Sequence, residues 1–299
     1  MTKRPHLSAV LLVVMVDLIG FGILLPLLPF YAATFGGGAF QAGLLFCIYS
    51  FAQFFFSPLW GQLSDRIGRR PVMMFSTAGA SVAYLLFAVS DSFGMLFFSR
   101  LLAGVMGGNI SAAQSYVSDV TAPDQRARGM GMIGAAFGIG FVLGPLISVI
   151  SLHWLSSNEV NHWLGSGSFS FLLEVPYRLP AVIASLLSLT SFILVSLWLP
   201  ESHRAGSTLK PWRWMPPLLR AFHGNLTGDL TPQSTPISRH LSAAGLISLA
   251  QSSLYAAFPL YCQSQYQMSV HEVGLLYTHG SFGRCDSRRS DSGSSKVMA

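Results

Sequence analysis

Seven long apolar segments constrain the fold of this 299-residue chain more than any other feature. A helix that crosses the hydrocarbon core of a bilayer needs roughly 20 predominantly apolar residues. Segments of that kind occur at 7–30, 41–60, 72–90, 94–117, 129–152, 178–199 and 240–262. Hydrophobic residues make up 51% of the chain and charged residues only 10%, which is typical of an integral membrane protein. The sequence therefore predicts an all-α, multi-pass membrane protein.

Lysine and arginine residues are distributed unevenly among the connections between these segments. One set of alternate connections, at 31–40, 91–93 and 151–177, contains none. Because short cytoplasmic connections are enriched in Lys and Arg, the pattern predicts a cell-membrane protein with a cytoplasmic N-terminus. The Lys and Arg residues of the chain are scattered over several connections instead of forming one basic face, so the net charge of +6 does not indicate nucleic-acid binding. The other set carries Lys3, Arg4, Arg66, Arg69, Arg70, Arg126, Arg128, Arg204, Lys210, Arg213, Arg220 and Arg239.

The connection between the second and third segments carries the most informative motif. Residues 61–71 read GQLSDRIGRRP, which we interpret as a tight turn with one carboxylate and three guanidinium groups. The motif resembles, without a mismatch, the G-x-L-[SA]-D-[RK]-x-G-[RK]-[RK] loop between the second and third helices of major facilitator superfamily transporters. The resemblance implies two six-helix bundles joined by a long central cytoplasmic loop.

Measured against that layout, the chain divides into four regions. Residues 1–199 form the predicted N-terminal six-helix bundle, and 200–239, rich in Pro, Ser, Thr and basic residues, form a cytoplasmic linker. Residues 240–277 are interpreted as a remnant of the C-terminal bundle, with one transmembrane helix and the start of the next. The polar tail at 278–299 is expected to be disordered. We therefore expect a major facilitator fold with a truncated C-terminal bundle.

The resemblance assigns a conformational role to charged residues at two helix ends. Asp119 is followed seven residues later by Arg126, which is similar to the acid-x6-Arg junction after the family's fourth helix. In that comparison the charges form a network on the inner surface that latches one state of the bundle. The alternative is an ordinary positive-inside anchor, whose solvated salt bridges each contribute little to stability. The predicted latch consists of Gly61, Asp65, Arg66, Gly68, Arg69, Arg70, Asp119 and Arg126.

An acidic residue, Asp17, lies inside the first apolar segment, where a charge is costly and commonly functional. The run DLIGFG at 17–22, followed by Pro26 and Pro29, resembles the first helix of the family's drug/proton antiporters, including the tetracycline exporters. The two prolines are expected to bend or stop this helix. The resemblance implies that Asp17 lines the central cavity and exchanges protons there. The alternative role is a hydrogen bond to a neighbouring helix.

The fourth segment combines an intramembrane arginine with a small or polar face. Such a face supports close helix packing or borders a water-filled cavity, and Arg100 favours the cavity because a buried guanidinium needs a partner. Arg100 and Gly104 also resemble the family's R-x-x-x-G motif, which implies proton transfer. Asp17, Arg100 and Gln114 are therefore the predicted proton-coupling and cavity residues. On a helix that turns about 100° per residue, six residues of this segment lie within about 40° of one direction: Arg100, Gly104, Gly107, Ser111, Gln114 and Ser118.

Glycine residues are unusually dense in the fifth segment. Gly140-x-x-x-Gly144-Pro145 resembles the family's fifth-helix antiporter motif, although Ser148 stands where that motif usually has glycine. The resemblance favours export in exchange for protons. A glycine-rich helix that only packs closely against its neighbours is the competing interpretation.

The predicted function is proton-coupled efflux of small, drug-like molecules, with transport impaired by the truncation. The alternative is a non-transporting half-bundle that acts as a partner subunit or remnant; sugar or metabolite transport and a seven-helix receptor are less favoured. A homodimer of the first six helices is one way to rebuild a cavity. The partners expected are a small-molecule substrate, protons and the bilayer.

Enzymatic chemistry finds no support in the sequence. It contains no P-loop and no catalytic-triad pattern. Cys47, Cys262 and Cys285 lack the spacing of metal ligands. We expect no enzyme activity, no cofactor and no metal site.

Overall fold

The computed structural model describes residues 7–155, 175, 177–202 and 257–279, apart from 264, 267 and 269. The elements assigned within these ranges are all helices, which confirms the predicted all-α fold class. In chain order they are α1 (Leu7–Leu24), α2 (Leu28–Thr34), α3 (Ala39–Ile67), α4 (Arg69–Ala88), α5 (Phe93–Val105), α6 (Asn109–Val120), α7 (Arg126–Leu155), α8 (Arg178–Trp198) and α9 (Val270–His279).

Within the described ranges, six helical stretches are long and apolar enough to cross a membrane. They correspond to the first six predicted segments: α1, α3, α4, α5 together with α6, α7, and α8. The seventh predicted segment, 240–262, lies outside the described residues except for 257–262. Nearly all of the predicted linker and tail also lies outside them, so the predicted domain division stays a prediction.

Proline and glycine residues determine where the helices break. Pro26 separates α1 from α2, and Pro29 lies in the first turn of α2, where its missing N–H leaves no helical bond unmade. The fourth predicted segment is interrupted at residues 106–108, because Gly107 N–H bonds to Gly104 and Gly108 N–H bonds to Met106 instead of four residues back. The predicted small or polar face is therefore divided between α5 and α6 instead of following one uninterrupted helix.

The predicted turn at 61–71 is mostly helix. Residues 61–67 continue α3, and α4 begins at Arg69, so Gly68 alone connects the two helices. Gly68 has φ 108° and ψ 160°, a backbone conformation that essentially only glycine adopts. The predicted tight turn is therefore confined to one residue, and the rest of the 61–71 motif is helical. We call this end of the bundle the α3–α4 end.

The helix α1 lies at the centre of the bundle and packs against α6, α7 and α8. Two buried apolar clusters surround it. One contains Ile19 and Ile23 and extends towards α2, and the other contains Val14 and Leu18 and extends towards the α3–α4 end. Asp17 therefore lies at the level where the two clusters meet.

Candidate functional site

A cavity of about 720 Å³ opens beside α1 in the middle of the bundle. Its walls come from α1 and α3 to α7. The polar groups are Asp17, Ser50, Gln53 and Asn109, and six of the lining side chains are aromatic. A largely apolar wall with a few polar groups is typical of a small-molecule site. The aromatic lining residues are Phe21, Phe46, Tyr49, Tyr84, Phe137 and Phe141.

The carboxylate of Asp17 lies where three helices meet. The Asn109 amide of α6 donates a hydrogen bond to Asp17 Oδ2 at 3.0 Å, and the Ser188 hydroxyl of α8 donates one to Asp17 Oδ1 at 2.8 Å. The structure thus places Asp17 in the cavity wall and also in hydrogen bonds to neighbouring helices. Sequence reasoning missed both donors, although the serine spacing at Ser185, Ser188 and Ser191 marks one polar face of α8.

Arg100 lies behind this wall and does not line the cavity. Its side chain is fully buried, and its guanidinium carbon is 4.5 Å from the Phe87 ring centre and 5.6 Å from that of Tyr84. Cation–π contact with these rings takes the place of an acidic partner. Among the described residues, Arg100 Nε and Nη2 donate no hydrogen bond, and no ion pair joins Arg100 to Asp17. Gln114 is exposed on α6 and is not part of the cavity wall.

The glycines of the predicted antiporter motif lie against the helix that carries Asp17. A Cβ added to Gly144 would lie 2.6 Å from the Cα of Gly22, and one added to Gly140 would lie 2.7 Å from the Cβ of Leu18. Both distances are too short for a side chain, so the glycines allow the α1 and α7 backbones to touch. Pro145 lies inside α7 immediately after this contact.

A charge network surrounds Arg69 at the α3–α4 end. The Arg69 side chain is buried; its Nε donates to Asp119 Oδ2 at 3.0 Å, and its Nη1 donates to Ser64 Oγ at 3.0 Å. The same Nη1 also pairs with Asp65. One guanidinium therefore joins the end of α3, the start of α4 and the end of α6, which is the geometry that a planar, multidentate donor favours.

Glu201 completes this network, and sequence reasoning assigned it no role. Its carboxylate accepts the backbone N–H of Arg69 at 2.9 Å and that of Arg70 at 3.2 Å. A carboxylate at this place satisfies free amides and interacts favourably with the positive end of α4. Arg70 also donates from Nη2 to the carbonyl of Ser196 at 2.5 Å. Glu201 is separated from its partners by more than 130 residues, so no local pattern reveals it.

The other predicted latch residues are placed differently. Gly61 is inside α3 with open space beside it, and Arg66 is partly buried in the last turn of α3. Arg126 is exposed at the start of α7. Within the residues that the structure describes, no ion pair joins Arg126 to Asp119.

A second ion pair lies at the opposite end of the bundle. Arg178 Nη2, at the start of α8, contacts Asp91 Oδ1 at 2.5 Å. The Tyr31 hydroxyl donates to the carbonyls of Ala88 and Ser90, each at 3.4 Å. Sequence reasoning did not single out this cluster, because its members come from three distant parts of the chain: α2, the α4–α5 connection and the start of α8.

Comparison with known proteins places the chain among transporters. The model of the Major Facilitator Superfamily matches residues 10–284. The chain is 34% identical over 195 residues to the class B tetracycline resistance protein of Escherichia coli, covering 64% of this chain and 43% of that protein. It is 30% identical over 276 residues to the class G protein of Vibrio anguillarum, covering 91% and 63%. The chain thus spans less than two thirds of the length of either relative.

Solved structures show the same fold. The human organic anion transporter MFSD10 superposes with a TM-score of 0.67 at 23% identity, covering 91% of this chain and 68% of that one. An inward-facing, unoccupied bacterial homolog of the human lysosomal transporter Spinster superposes with a TM-score of 0.66 at 19% identity, covering 91% and 59%.

Proposed function

Because this chain belongs to the Major Facilitator Superfamily, we propose that it acts in proton-coupled efflux of small, drug-like molecules. Members of this superfamily are transporters and not enzymes, as the sequence led us to expect. The tetracycline resistance proteins among its relatives support a drug-like substrate.

The observation that carries the proposal is the position of Asp17 in the wall of the cavity. A carboxyl group inside a membrane protein is the usual carrier of an exchanged proton. Its described hydrogen-bond donors, Asn109 and Ser188, are neutral, so the carboxyl is not bound to a permanent cation. The aromatic wall beside it supplies apolar surface for a small, planar molecule. Proton and substrate would then occupy adjoining parts of one cavity.

In this proposal the α3–α4 end faces the cytoplasm, together with the N-terminus, because it carries the Arg-rich connection. The network around Arg69 holds α3, α4 and α6 together at that end. In this proposal the network acts as a latch that stabilises one state of the bundle, and a change of state rearranges its contacts. The Gly22, Gly140 and Gly144 contact keeps α7 against α1 while this happens.

Transport in proteoliposomes tests the proposal. The purified chain is reconstituted, a pH gradient is imposed, and movement of a fluorescent cationic drug such as ethidium is followed. We expect movement that depends on the gradient, and its loss in Asp17→Asn. Asp124→Asn is the matched control, because Asp124 is an exposed acid in the α6–α7 connection. Movement that ignores the gradient, or that is equal in Asp17→Asn and wild type, would contradict the proposal.

A further inference from the structure

We propose that Asn109 and Ser188 set the pH at which Asp17 releases its proton, and that proton uptake loosens the attachment of α1 to α6 and α8. The inference deepens the proposed function and rests on it, since it takes Asp17 as the group that exchanges protons. It assigns positioning roles to two residues that no sequence motif marks.

Two hydrogen-bond donors stabilise a charge at Asp17. A carboxylate removed from water must be compensated by hydrogen-bond donors or by a cation. Asn109 and Ser188 each direct one donor at a different oxygen of the carboxylate. Hydrogen bonds to the charged form favour that form, so each donor promotes release of the proton.

Titratable groups also lie on the helices around Asp17. Tyr49 of α3 and Tyr84 of α4 line the same cavity, and Arg100 of α5 is stacked behind Tyr84. On α6, Tyr116 belongs to the apolar cluster towards the α3–α4 end.

The remaining neighbours of α1 add no titratable group at this level. Residues 129–152 of α7 and 179–198 of α8 contain no acidic, basic, His, Tyr or Cys side chain. Asp119, the one acid of α6, is engaged by Arg69 at the end of that helix. The two neutral donors are therefore the groups in direct contact with the Asp17 carboxylate among the described residues.

The hydrogen bonds of Asp17 connect its protonation state to the packing of α1 against α6 and α8. Asn109 is the first residue of α6 and follows the interrupted turn at 106–108. Its Nδ2 bonds to Asp17, while its Oδ1 is buried without a partner in the described part of the chain. The charge of Asp17 thus orients this side chain. Charge-assisted hydrogen bonds are roughly twice as strong as neutral ones, so neutralising Asp17 weakens two contacts that join α1 to α6 and α8.

Infrared titration of the carboxyl C=O band tests the first claim without requiring transport. The band of Asp17 is assigned by its disappearance in Asp17→Asn, and its midpoint is measured in lipid for wild type and variants. We expect Asn109→Leu and Ser188→Ala to raise the midpoint by about one to two pH units, the effect of losing one hydrogen bond to a charged group. Ser188→Thr keeps the hydroxyl and restores the wild-type midpoint.

Ser191→Ala is the matched control, because Ser191 lies one turn from Ser188 on α8 and donates to the carbonyl of Val13 instead. It is expected to leave the midpoint unchanged. Equal midpoints in wild type, Asn109→Leu and Ser188→Ala, or an equal shift in Ser191→Ala, would overturn the inference. So would the absence of any titrating band that depends on Asp17. Failure of gradient-driven transport with shifted midpoints would instead count against the proposed function alone.

Hydrogen exchange tests the second claim. Backbone amides at residues 112 and 113, the first of α6 that can bond four residues back, are expected to exchange faster below the Asp17 midpoint than above it, after correction for the intrinsic pH dependence of exchange. In Asp17→Asn this difference should vanish. Protection that is independent of the protonation of Asp17 in wild type would show that the junction does not loosen.

Discussion

Replacement of Gly68 by alanine tests the one-residue connection between α3 and α4. The backbone at Gly68, with φ 108° and ψ 160°, costs a residue that carries a Cβ on the order of 1–3 kcal/mol. The added Cβ would also lie 2.7 Å from the carboxyl carbon of Glu201, with Oε2 closer still. Alanine therefore strains the backbone and displaces the carboxylate at once.

The second contribution follows from what Glu201 does. Its carboxylate accepts the backbone amides of Arg69 and Arg70 at 2.9 and 3.2 Å. Hydrogen bonds to charged groups contribute about 1.5–3 kcal/mol, and the partial exposure of this site favours the low end. Loss of one such bond added to the backbone strain predicts that Gly68→Ala lowers the free energy of unfolding by about 3 kcal/mol.

Equilibrium unfolding of the purified protein in mixed micelles, with SDS as denaturant, measures this loss. Gly61→Ala is the matched control, because Gly61 belongs to the same motif but lies in helical backbone with open space around it. Alanine there is expected to be neutral or to stabilise by up to about 1 kcal/mol. In a Glu201→Ala background, the loss of unfolding free energy caused by Gly68→Ala should fall to the contribution of backbone strain alone. An equal effect at Gly61 and Gly68, or a loss at Gly68 below about 1 kcal/mol, would refute the reasoning.

Two further substitutions test other contacts through the midpoint of thermal unfolding in detergent. Gly144→Ala should lower this midpoint by several degrees, because the added Cβ would collide with the α1 backbone. Gly138→Ala is the control and should leave the midpoint unchanged, because the space beside Gly138 is open. Equal effects of the two substitutions would rule out a close α1–α7 contact. Arg178→Gln should lower the midpoint more than Asp91→Asn, because the side chain of Arg178 is 7% exposed and that of Asp91 is 78% exposed. The reverse order would show that the buried arginine does not anchor the ion pair.

The membrane helices were predictable because their signal is local. Each is a continuous apolar run whose length matches the thickness of a bilayer, and the six described spans overlap the predicted ones. Asp17 was singled out for a similar reason, since an acid stands out in an apolar run. Both predictions needed nothing beyond a short window of sequence.

The partners of the functional groups were not predictable, because they are brought together only by folding. Asn109 and Ser188 are 92 and 171 residues from Asp17, and serine and asparagine have many roles in helices. The aromatic surroundings of Arg100 leave no trace in sequence, because Phe and Tyr are common in membrane spans. The sequence predicts a tight turn over 61–71, since glycine and charged residues are typical of turns, but it does not reveal that the turn is confined to Gly68.

The contact between Glu201 and the start of α4 has a mechanical consequence. Glu201 lies three residues beyond the end of α8, and α4 and α8 pack along each other, with Ser81 and Ser185 bonded midway. A force that pulls on the chain beyond residue 202 would therefore be transmitted through Glu201 to the first backbone amides of α4, without bending a helix. Tension in that segment would draw the Glu201 carboxylate away from the backbone amides of Arg69 and Arg70 and leave the first turn of α4 without its acceptor.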